Sequence, residues 1–91
     1  MIYSHEQLSQ ALYLVYELEL TETARKTQRI DNPWLYRQEA LALMSVRMVC
    51  PVGMAEGILH SLHDLGCLKF SLKQGYIRLL KPVVPVGRVA A

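Results

Sequence analysis

Long apolar runs, clustered cysteines and glycine-rich loops are all missing from this chain of 91 residues. No run approaches the roughly 18 apolar residues that a membrane span needs. The opening stretch MIYSHEQLSQ has no basic region followed by an apolar one. A soluble, cytoplasmic protein with no membrane partner is therefore expected. Cysteine is scarce, and Cys50 and Cys67 lack the close spacing of zinc motifs. Without a secretory signal they are expected to be reduced and buried.

The stretch HSLHDLGC does hold His60, His63 and Cys67, a nitrogen and sulfur donor set in principle. Gly66 ends the helix before Cys67, however, so no metal is expected. Catalytic patterns are missing too. There is no phosphate-cradling loop, and Cys50 beside Pro51 has no base near it in sequence. Glu17 and Glu19, two residues apart, point away from each other on a helix. Neither an enzyme nor a cofactor is expected.

What is present is apolar character and unevenly placed charge. Hydrophobic residues make up 52% of the chain, above the roughly 45–50% of an ordinary soluble domain. A chain of this size has room for a single core, here placed at residues 1–81, with residues 82–91, rich in proline and small residues, as an extended tail. The net charge of +2 divides into −2 over residues 1–45 and +4 over residues 46–91. The basic character therefore belongs to the C-terminal half.

Three helices are expected. Ser4 and Gln7 form a capping box that opens the first, near residues 5–20, where Leu8, Ala11, Leu12, Val15 and Leu18 recur at helical spacing. Tyr13, Leu14 and Tyr16 fall outside that stripe. A helix apolar on so many sides in so small a domain points to a homodimer, with Leu8, Leu12, Tyr13, Leu14, Tyr16 and Trp34 at its interface. Residues 21–32 fit either a continued helix or a polar connection. Asn32-Pro33 reads as a cap and first helical residue, placing the second helix near residues 33–48. Pro51 breaks it, Gly53 permits a tight reversal, and a third helix follows near residues 53–65. Met54, Ala55, Ile58, Leu59, Leu62 and Leu65 face the core, Glu56, His60, His63 and Asp64 face outward, and Gly66 closes the helix.

The segment CLKFSLKQGYIRLL then alternates apolar and basic residues and holds no acid. Leu68, Phe70 and Leu72 share one face of a first strand, and Lys69, Ser71 and Lys73 the other. Gln74-Gly75 makes the turn, and the chain returns from Tyr76 to Leu80. The fold class expected is thus mainly α with a small β-hairpin.

The order helix, helix, turn, helix, hairpin over about residues 34–81, with ILHSLHDLGCLKFSLKQGYIRLLKP as its most telling stretch, resembles the winged helix-turn-helix transcription regulators. The resemblance implies a small DNA-binding regulator, with the third helix in the major groove of double-stranded DNA and the wing on phosphates. By position it assigns Val52, Gly53, Glu56, Gly57 and His60 to the groove, and Lys69, Lys73 and Arg78 to the wing. The groove set departs from the usual base-reading side chains, Arg, Lys, Asn and Gln. It offers one acid, one histidine and two glycines, and protonation of His60 would supply the cation it lacks. The alternative is a non-enzymatic adaptor of the same fold that binds a protein partner through apolar helix faces.

Overall fold

The computed structural model describes residues 3–25, 33–73, 75–81 and 83–84. Among them the chain forms helix α1 (His5–Arg25), strand β1 (Leu35–Tyr36), helices α2 (Arg37–Arg47) and α3 (Val52–Asp64), and strands β2 (Leu68–Phe70) and β3 (Tyr76–Leu79). The protein is mainly helical with a small antiparallel sheet of order β1-β3-β2.

The capping box opens α1 as the sequence implies. The Gln7 backbone N–H donates to Ser4 Oγ at 3.1 Å, and the Ser4 backbone N–H donates to Gln7 Oε1 at 2.9 Å. Two threonines then carry the helix through its polar end, donating from Thr21 and Thr23 to the carbonyls of Glu17 and Glu19. The helix therefore runs to Arg25, past the expected end at residue 20, while residues 26–32 lie outside the described set. Leu8, Ala11, Leu12, Leu14 and Val15 are all buried. Full burial of a Leu or Val is worth about 1.5–3 kcal/mol, against about 1 kcal/mol for a cap, so packing holds α1 in place.

That packing corrects the expected dimer interface. Leu8, Leu12 and Leu14 are covered within the single chain, because α2, α3, β1 and β3 surround α1 on more than one side. Tyr13 and Tyr16 stay exposed. Trp34, also assigned to the interface, is exposed too, with the Arg78 guanidinium against its ring.

The second helix begins at Arg37, not at Pro33. Leu35 and Tyr36 instead pair with Ile77 and Tyr76, turning the expected two-stranded hairpin into a three-stranded sheet. The Arg37 backbone N–H then donates to the Gly75 carbonyl at 2.8 Å, tying the start of α2 to the hairpin turn. Gly53 makes no reversal, since it sits inside α3. The left-handed residue of the α2–α3 turn is Val49, at φ 52°. At its other end α3 closes as the sequence implies. Gly66 (φ 81°) donates to the His63 carbonyl and Cys67 to the Leu62 carbonyl, the paired bonds of a Schellman ending.

Leu68 is buried and Phe70 half-buried, whereas Leu72 lies beyond the end of β2 and is fully exposed. Ala40, Leu41 and Met44 of α2 and Ala55, Ile58, Leu59 and Leu62 of α3 complete the core with Leu35, Cys67, Ile77 and Leu79. Val84 is buried with them, so packing continues into the expected tail, of which Pro82 and residues 85–91 lie outside the described set. Among the described residues no single helix is long and apolar enough to cross a membrane.

Candidate nucleic-acid interface

The outward side of α3 is occupied by a neighbour that the sequence gives no reason to place there. Arg37, fixed at the head of α2, brings Nη2 to 3.4 Å from Glu56 Oε2 and 3.5 Å from His60 Nε2. Its guanidinium lies 5.3 Å from the centre of the Phe70 ring. His60 meets that ring edge-on at 5.0 Å, and His63 stacks on it at 4.5 Å. Glu56 and His60, both expected to face DNA, are thus tied to the sheet through Arg37 and Phe70. The face expected to lack a cation has one from α2, already engaged with Glu56.

Gly57 also departs from its expected role. The Tyr3 side chain packs so closely on it that an added Cβ would collide with the hydroxyl. The glycine admits an aromatic ring to the helix surface and is no groove contact. Only Val52, half exposed, and Gly53, with open space above it, remain free at the start of α3.

The wing residues stand differently. Register places Lys69 directly opposite Arg78 and Tyr36 opposite Tyr76, all on the sheet face turned away from the core. The Arg78 guanidinium lies 4.1 Å from the centre of the Trp34 ring, and the Tyr36 and Tyr76 rings are 5.2 Å apart. Trp34, Arg78 and Lys69 form one row across the sheet, and Tyr36 and Tyr76 form the next. Lys69 and Lys73 are exposed, and among the described residues Lys69, Lys73 and Arg78 have no acidic partner within 4 Å. Two like charges directly opposite one another disfavour the fold. Beside this face runs a groove of about 460 Å³ bordered by Trp34, Tyr76, Phe70, Leu72, Lys69 and Lys73.

Sequence reasoning placed the three cations and missed the aromatic half of the face. The signal available for it was WLY after a proline, three strand-favouring residues in alternation, but too short a run to show a period.

The thiols and histidines do not converge. Cys67 is buried with Sγ 3.9 Å from the Val83 carbonyl, and Cys50 directs its thiol to the Met44 carbonyl. Both are free thiols, and among the described residues no three His, Cys, Asp or Glu side chains gather as metal ligands would. In comparisons with protein-family models, curated proteins and solved structures, nothing matches this chain.

Proposed function

We propose that the protein is a small, non-enzymatic winged-helix module that binds DNA, with the sheet face rather than α3 as its principal contact. The order helix, helix, turn, helix, hairpin supports the fold reading, with one short strand added before α2. The observation that carries the functional reading is the row of unpaired cations. Lys69 sits opposite Arg78 and Lys73 lies near the hairpin turn, with no described acid to neutralise them. Each phosphate such cations neutralise releases counterions, which drives binding without reading sequence. Among the described residues, the cation beside α3 is Arg37 of α2, engaged with Glu56, so base reading there has little to work with.

Charge reversal separates binding from folding. Lys69→Glu places an acid opposite Arg78 and relieves a like-charge pair, so the variant is expected to melt higher than the wild type. Its affinity for duplex DNA is expected to fall by about tenfold or more at low salt, since one attraction becomes a repulsion. Arg37→Gln, on the α3 side, is expected to leave that affinity within about threefold. Equal affinity for wild type and Lys69→Glu would refute the reading and favour the adaptor. A protein partner would then use the exposed stripe Tyr13, Tyr16 and Leu20 on α1.

A further inference from the structure

We propose that the groove beside the sheet holds an unpaired DNA strand, with a base stacked on Trp34 and Tyr76 and its phosphates on Lys69 and Lys73. This rests on the reading of the sheet face as a DNA contact and goes further by naming the state of the DNA.

The chemistry of the lining decides between occupants. A contact to duplex phosphates alone needs cations and gains little from aromatic rings, because the base faces of a duplex are already stacked on one another. Here the Trp34 and Tyr76 rings border one groove, with two exposed lysines on the same rim. Rings that offer faces together with cations that track a backbone are what an unpaired strand binds, and the stacking tolerates any base. The volume of about 460 Å³ falls within the roughly 300–1,000 Å³ of ligand clefts.

The rings are also held before any ligand arrives. Arg78 does not border the groove, so its guanidinium backs the Trp34 ring without filling the space beside it. Tyr36 supports Tyr76 across the β1–β3 pair. Pre-positioned rings lose little side-chain entropy on binding. An acidic peptide would satisfy the lysines but would leave the flat ring faces without matching partners.

Trp34 is the only tryptophan of the chain, so its fluorescence reports this groove without interference. The test titrates the full chain with an oligodeoxythymidylate of about 12 nucleotides, within the site sizes of single-strand binders, and with a duplex of the same length. The expected results are quenching of Trp34 by the single strand and an affinity at least about fivefold above that for the duplex. Tyr76→Ala, shown folded by circular dichroism, is expected to lose at least about fivefold of single-strand affinity and little duplex affinity, by anisotropy of labelled DNA. Trp34→Phe, which keeps a ring, should retain most of the binding.

Equal binding of both forms with no change in Trp34 emission would overturn the proposal while leaving the sheet as a duplex contact. Failure of both forms to bind would overturn the DNA reading as well. Competition by polyglutamate as strong as by DNA would show an acidic-peptide groove and refute the inference. RNA of matching sequence binding more tightly than DNA would refute the assignment of DNA.

Discussion

Val49 carries the clearest local conflict in the chain. A β-branched residue in the left-handed region, at φ 52°, costs roughly 1–2 kcal/mol, and Val49 is 87% exposed, so no packing offsets that cost. Val49→Asn is expected to stabilise the fold by about 1 kcal/mol, because Asn tolerates this conformation. For a domain this small, that gain should appear in a thermal melt as a rise of about 4–8 °C. An unchanged or lower midpoint would show that the turn is relaxed. Cys67 supplies a second expectation at this scale. Burial pushes its thiol up, with the Lys81 charge pulling the other way. In the unfolded chain the thiol ionises near its ordinary value of about 8.5. Stability linked to Cys67 is therefore complete below that pH and is lost as pH rises toward the higher folded value. The advantage of wild type over Cys67→Ala in urea midpoint should narrow between about pH 7.5 and 9.5, and a constant difference would contradict this.

At the level of elements, what the sequence makes legible is what neighbouring residues decide. The Ser4–Gln7 box and the ending at Gly66 each depend on residues a few positions apart, and each forms as the sequence implies. β1 has two residues and no period, and its partner strand begins only at Tyr76, so nothing local announces it. Asn32-Pro33 looks like a helix start for the same reason, since a tertiary pairing overrides a local preference. The candidate site divides likewise. Lys69 and Arg78 follow from hairpin alternation, while the engagement of Glu56 by Arg37 joins residues with no sequence relationship. Leu35 and Val46 test the difference, because both read as apolar members of one helix. Leu35→Ala should cost about 2–5 kcal/mol, since the side chain is 1% exposed on β1, and Val46→Ala should change stability by less than about 0.5 kcal/mol. Similar losses in chemical denaturation would mean that β1 contributes little.

For the whole molecule, the described residues leave two surfaces of different character. The cations gather on the sheet with Trp34, Tyr36 and Tyr76, whereas the apolar residues left uncovered on α1 are Tyr13, Tyr16 and Leu20, spaced as one helical stripe. With Leu8, Leu12 and Leu14 committed to the core, the homodimer we propose would form through that stripe. Sedimentation at tens of micromolar is expected to give about twice the 10.4 kDa of one chain, and Tyr16→Glu is expected to return the single chain. Wild type that sediments as a monomer would remove the homodimer.

The claim that the sheet is the DNA contact is tested most directly by the salt dependence of DNA binding. Each phosphate neutralised adds about 0.9 to the slope of log affinity against log salt for duplex DNA, and about 0.7 for a single strand. Replacing Lys69 and Lys73 by alanine together should therefore lower the slope by about 2 on duplex DNA, while Arg37→Gln should leave it unchanged. A slope that keeps its value without the two lysines, or that falls only when Arg37 is removed, would place the contact on α3 and contradict the account.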